Sequence, residues 1–354
     1  MDSKIFKDIF GKVSENILSL GIKKGYFQIE KEAELQNKLI EISNNEITEL
    51  DDSQGLAFFN PNLNKLGFNL NQIKTEEEAI ILTFHELKHI FDQYFDYNNE
   101  QHINEHIGFH QQYSDFGIGQ NESITERFAM NMMEEFTGNK RANTSYDSLN
   151  LNFKTDMVRY QIEDRLNQLF CDSVGIELDD LISMQNDESM DRLNSLILKF
   201  NQGADYERYF AALDGIYKLR YGIDSKENES DFTDDEIRQI HEYIQLAQDE
   251  FEKFIKFRNP EDIDKLKRNF IMTDSRYKIS EEQKEKLVSQ IHPIRRQKSN
   301  ESFLTDMFNM MRMDLLESGI KASELVTNTG EITNQQQIII QENDKTKNKE
   351  MLQE

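Results

Sequence analysis

Apolar residues recur at helical spacing from the first turn onward, with Ile5, Phe6, Ile9, Phe10, Val13 and Ile17 on one side of a 3.6-residue period. A charged helical stretch, "EKEAELQNKLIEI", carries the pattern to about residue 48. Between 55 and 70 the period changes. "GLAFFNPNLNKLGFNLN" sets two short apolar runs on either side of Asn-Pro-Asn, which predicts a β-hairpin and is the best strand signal in the chain. The helical period then returns in "TEEEAIILTFHELKHIFDQYF". Thr75 and Glu78 form a capping box, and acids crowd the first turn, where the helix dipole favours them, so a long helix starts near residue 76.

A second such helix is predicted from near Asn121 through "ITERFAMNMMEEF", with Gly138 as its C-terminal cap. "GNKRANTSYDSLN" then reads as a linker. Beyond about 150 the pattern is helical nearly throughout. The clearest helix opens on Thr233 and Glu236 and keeps one apolar stripe through Ile237, Ile240, Ile244, Ala247, Phe251 and Phe254. Ser280 and Gln283 open another in the same way, and no internal repeat is visible. Only three prolines and fifteen glycines interrupt 354 residues, which favours long helices over an all-β fold. The length suits about two domains. The predicted class is α+β, predominantly helical. N-terminal helices and a small catalytic unit occupy 1–140, with its core at about 55–138. A helical recognition or regulatory region occupies 141–335. The tail, 336–354, is polar and expected to be disordered, apart from the Ile338–Ile340 run.

Composition narrows the partners. The formal net charge of -25 disfavours nucleic acid and acidic membrane surfaces. The N-terminal stretch mixes charges into its apolar positions, so no signal peptide is read, and no stretch approaches the length of a membrane span. A single cysteine, Cys171, excludes an intramolecular disulfide framework. Together these point to a cytoplasmic protein, with delivery through a secretion system that leaves no readable signal still open.

The chain holds seven histidines, and two of them, His85 and His89, lie four apart in "ILTFHELKHIFDQ". Positions four apart share a helix face, so both imidazoles can turn to one metal ion. Glu86 is rotated by about 100° from His85, close enough to hold a water at that ion without ligating it. Zinc-assisted hydrolysis needs this arrangement, because the ion acidifies a water and a carboxylate takes its proton. The plainer reading is a surface helix with a histidine pair. It sits poorly with Ile80, Ile81, Leu82, Phe84, Leu87, Ile90 and Phe91, which flank the motif on more than one face.

HELKH followed by a helix bearing a glutamate resembles the gluzincin metallopeptidases, and most nearly the lethal factor-like peptidase family. The residues that carry the likeness are Asp92 and Tyr94 after the second histidine, the stretch Glu126-Arg127-Phe128-Ala129, and the hairpin before the helix. They span about residues 55–136. The branch of zincins that would need glycine at 92 and histidine at 95 is excluded by Asp92 and Phe95. The resemblance implies a zincin-type catalytic domain with one Zn2+ per chain, held by His85, His89 and a downstream glutamate. Glu126 is preferred as that ligand, because Ala129 one turn on suits a close approach of the two helices. Aligning "NESITE" with a thermolysin-like pattern instead makes Glu122 the ligand and Glu126 its supporting partner, and Ser123 with Glu126 also reads as a capping box.

Other positions take roles by the same likeness. Asp92, on the face of His85 and His89, is placed to orient a ligand imidazole. Lys88, where the family often has glycine, is expected to face solvent. Tyr113 is the candidate oxyanion donor. His102, His106 and His110 recur every four residues and on one helix would form a stripe, either a solvated face or a second metal site. The strand near Leu66–Leu70 is a candidate for pairing with an extended substrate. The function implied is a zinc metalloendopeptidase acting on a protein or peptide, either an effector or a regulatory protease, with Glu86 as general base. The alternative is a non-catalytic helical interaction protein with a structural or degenerate metal site, which would have no use for Glu86 as a base.

Overall fold

A computed structural model describes residues 1–43, 47–50, 55–61, 63–96, 103–111, 116–146, 148–149, 151, 153–188, 190–222 and 231–256. The helix predicted from Ser280 and the polar tail lie outside them, as do Tyr113 and His102.

Helix α1 (Ser3–Lys24) buries Phe6, Ile9, Phe10, Val13 and Ile17, while Ile5 drops out of the predicted stripe at 48% exposure. Helix α2 (Glu32–Ser43) follows. The predicted hairpin is present as β2 (Ala57–Asn60) and β3 (Lys65–Phe68), antiparallel, with Phe58 opposite Gly67. A short β1 (Thr48–Glu49) adds to β3 in parallel, so the sheet order is β1-β3-β2. β1 covers β3 only at Gly67 and Phe68, β2 runs along its other side, and the outer edge of β2 has no strand beside it among the described residues. Phe68 packs between Phe6 and Phe10, ring centroids 4.7 and 6.3 Å away, and ties the sheet to α1.

Helix α3 (Glu76–Phe91) starts where the capping box predicts. Thr75 Oγ1 accepts from the Glu78 N–H at 3.1 Å, but the Glu78 carboxylate accepts from the N–H of Lys74, one residue before the cap. Every residue from Ala79 to Phe91 is buried, so the helix runs through the core instead of over it. Strands β4 (Gln93–Asp96), β5 (Ile103–Ile107) and β6 (His110–Gln111) form a second sheet in chain order. This overturns the helical histidine stripe for the described residues, since His106 and His110 lie on paired strands.

Helix α4 (Ile118–Thr137) ends on left-handed Gly138 as predicted but begins three residues before Asn121. Its first turn is capped from far along the chain: Asp214 accepts from the N–H groups of Gly117 and Gly119, each at 2.9 Å. Gly119 has no alternative, because a methyl there would collide with the Leu213 carbonyl. The segment read as a linker holds β7 (Thr144–Tyr146), paired with β8 (Phe153–Thr155). Helices α5 (Gln161–Val174), α6 (Leu178–Met184), α7 (Asp191–Phe200), α8 (Tyr206–Tyr221) and α9 (Asp234–Lys256) complete the described chain. At α9 the Thr233–Glu236 capping box is reciprocal, at 2.8 and 3.3 Å, and Ile240, Ala247, Phe251 and Phe254 are buried.

One apolar cluster runs from Phe6 to Phe254 without a break near residue 140. Helices α5 and α8 lie directly on α4, and their buried residues belong to the same cluster as those of α3. No described helix is long and apolar enough to cross a membrane.

Candidate metal centre

Helices α3 and α4 pack side by side and bring three ligand-type side chains together. His85 and His89 lie on one face of α3, with their Nε2 atoms 3.1 Å apart. Across from them on α4, Glu122 places Oε2 3.2 Å from His85 Nε2 and Oε1 3.3 Å from His89 Nε2. Two nitrogens on one tetrahedral zinc, each at 2.0–2.1 Å, are about 3.4 Å apart. The spacing seen here therefore suits a single ion of that size. Among the described residues this is the one group of three whose ligand atoms converge so closely, all within 4.8 Å of one another.

Glu126, one helical turn past Glu122, is turned to the other nitrogen of His85. Its Oε2 lies 2.9 Å from Nδ1. With the proton on Nδ1, that contact is a donated hydrogen bond, and it leaves the Nε2 lone pair free to coordinate. Glu126 thus occupies the orienting position that the sequence had suggested for Asp92. Its second oxygen faces Arg159 Nη1 at 3.5 Å.

Asp92 is elsewhere. It caps the C-terminus of α3 and binds Lys88 Nζ through both carboxylate oxygens, not an imidazole. Lys88, expected in solvent, is fully buried, with its ammonium 5.4 Å from the centre of Phe128 and 5.9 Å from that of Phe27. The reason is position: 88 and 92 share a helix face that turns into the aromatic core, where a lone ammonium would be untenable and a paired one is not. Burial still holds the Lys88 pKa below its ordinary value, against the pull of Asp92.

The electrostatics of this face of α3 follow from its buried carboxylates and imidazoles. Burial opposes charge on His85, yet hydrogen bonds to Glu122 and Glu126 push its pKa up to about 10. Burial also works to raise both glutamates, but His89 and His85 hold Glu122 well below the usual carboxylate range, and Arg159 with His85 lowers Glu126. Glu86, 5% exposed, is raised by burial despite the two histidines. In effect a proton on His85 serves where a cation would fit.

Neither a family model, a curated protein nor a solved structure matches the chain. The reading of this centre therefore rests on its own residues.

Two of those residues carry no sequence signal. Arg159 and Tyr160 come from the segment between β8 and α5. The Tyr160 hydroxyl is 3.3 Å from Glu122 Oε2, and its ring stacks over His85 at 6.1 Å and 27°. Tyr217 of α8 also stacks with Tyr160, at 6.0 Å and 30°. Tyr160 is thus a tyrosine that the described residues bring to the centre, while Tyr113, the candidate from the sequence, lies outside them. Two other described histidines are engaged elsewhere: His106 stacks on Tyr94 at 5.2 Å, with its ring nitrogens 2.9 Å from the Gly108 carbonyl and 3.2 Å from that of Glu188, and His241 Nε2 lies 2.9 Å from the Leu149 carbonyl.

Proposed function

We propose that the chain is a zinc-dependent endopeptidase acting on a protein substrate, with His85, His89 and Glu122 as the ligands of one zinc ion. The observation that carries this reading is the convergence of two imidazole nitrogens and a carboxylate, with a further buried carboxylate, Glu86, next to the first histidine. Two histidines and one glutamate, three protein ligands instead of four, form a set associated with hydrolytic rather than structural zinc. Zinc held there supplies Lewis acidity, acidifying a water and polarising a carbonyl.

The chain's own groups do the rest. Glu86 accepts the proton from the attacking water, a role that its raised affinity for protons supports. Glu126 fixes the His85 ring and its tautomer, and Arg159 neutralises Glu126. Tyr160 keeps its proton, since burial raises its pKa well above the ordinary value, and it is the donor for an oxygen that gains charge. The unpaired edge of β2, beside α3, is the backbone against which an extended peptide would align. An effector acting on a host protein and a regulatory protease fit this chemistry equally.

Glu86→Gln separates the enzyme from a non-catalytic protein with a structural metal. The purified variant should keep about one zinc per chain. Its release of new N-termini from a protein mixture should fall by roughly 10²–10⁴-fold. Undiminished cleavage by that variant would sink the mechanism.

A further inference from the structure

Tyr160 adopts a backbone conformation that a tyrosine rarely takes, with φ 53° and ψ 35°. A left-handed non-glycine residue persists only where its surroundings over-determine it, and such residues cluster at functional sites. The surroundings here are specific. Arg127, next to Glu126 on α4, reaches across to the segment that carries Tyr160. Its Nε and Nη2 donate to Asp164 at 3.0 and 2.8 Å, and its Nη1 donates to both oxygens of Asp156 at 2.9 Å. The two aspartates stand four residues before and four residues after Tyr160. Between them, the Tyr160 N–H donates to the Tyr221 hydroxyl at 3.1 Å, and the Tyr221 ring meets the Tyr160 ring edge-on at 4.6 Å.

We propose that Arg127 and Tyr221 are positioning residues: Arg127 ties the 156–164 segment to α4 and Tyr221 ties it to α8, in the conformation that holds the Tyr160 phenol at Glu122. The proposal rests on the zinc-site reading for its purpose, though not for its geometry. Arg127 suits the task because a planar fork engages two carboxylates at fixed angles, which lysine cannot reproduce. The clamp and the ligand glutamates share α4, so the helix that carries Glu122 also carries the anchor of the phenol beside it.

The test has two measurements on the full chain. Amide hydrogen exchange of the 156–164 segment should rise at least tenfold in Arg127→Lys and in Tyr221→Phe, with α3 unchanged. Tyr221→Phe removes a single oxygen and keeps the test open if the arginine variant fails to fold. The second measurement is acetohydroxamate affinity of the cobalt-loaded protein, read from its visible spectrum. Tyr160→Phe and Arg127→Lys should each weaken binding about tenfold or more at unchanged cobalt content, through loss of a hydrogen bond to a charged group. The double variant should be no weaker than Tyr160→Phe alone, because Arg127 acts through Tyr160. Additive losses, or unaltered exchange in both single variants, would overturn the clamp. A chain that takes up no metal would refute the zinc reading, while the exchange measurement still decides the clamp.

Discussion

Helix α3 buries charge on two of its faces, and the two are built differently. On one, Lys88 and Asp92 close on each other inside a ring of phenylalanines, one cation to one anion, both fully buried. On the other, Glu86, Glu122 and Glu126 gather around two imidazoles, with Arg159 as the arginine beside them. The first arrangement is complete in itself. The second sets three carboxylates beside one arginine, and hydrogen bonds to Glu122 and Glu126 raise the His85 pKa. Burial alone therefore does not distinguish a site from a structural pair. The charge balance is the difference between them, because a cluster of carboxylates must be met by raised pKa values or by a shared cation.

The sharpest way to break the comparison is on the unbalanced face. Glu122→Gln removes the carboxylate that faces both Nε2 atoms and should abolish stoichiometric zinc, read by metal analysis after gel filtration. Glu126→Gln keeps the ligand set and loses only the strong acceptor for His85 Nδ1, so zinc affinity should fall by about 10–100-fold in a competitive chelator titration. The reverse order of effects would return the ligand role to Glu126.

The balanced face should respond in stability and not in metal. Lys88→Ala leaves Asp92 buried and unpaired, which should cost about 3–5 kcal/mol in denaturant unfolding. Replacing the pair together, Lys88→Met with Asp92→Leu, should recover most of that loss, because removing both charges removes the desolvation penalty as well. If the double replacement were as damaging as the single one, the pair would be doing more than filling the core. In that case its i,i+4 spacing beside His89 would have to be counted with the site.

How much of this was readable in the sequence follows from the range of each signal. The start of α3, its histidine pair and the β2–β3 hairpin are set by residues within a few positions of one another, and each formed where predicted. The start of α4 was misplaced because its cap, Asp214, is 97 residues from Gly117. The spacing of His106 and His110 matches a helix, but strand pairing with β4 and between β5 and β6 decided otherwise, and pairing is not a local property. Lys88 reads as solvent-facing in the sequence because a lysine usually is. Its partner at Asp92 and the apolar residues all round were the available clue. Arg159 and Tyr160 belong to no spacing pattern and reach the centre only because Arg127 and the packing of α5 and α8 bring them there.

The smallest effect tests whether the two faces answer to one helix. Thr75 sits at the solvent end of α3, and its hydroxyl satisfies one orphan N–H of the first turn. Thr75→Ala removes that bond and should cost about 1 kcal/mol of stability. His85 lies ten positions further on, and every residue between Ala79 and Phe91 is fixed by burial. Fraying of the first turn should therefore end before it reaches the ligands. Zinc affinity in Thr75→Ala should match that of the parent protein within error, while the unfolding midpoint falls. A drop in zinc affinity alongside the midpoint would mean that the capped end and the metal centre move together, and that α3 transmits strain along its whole length.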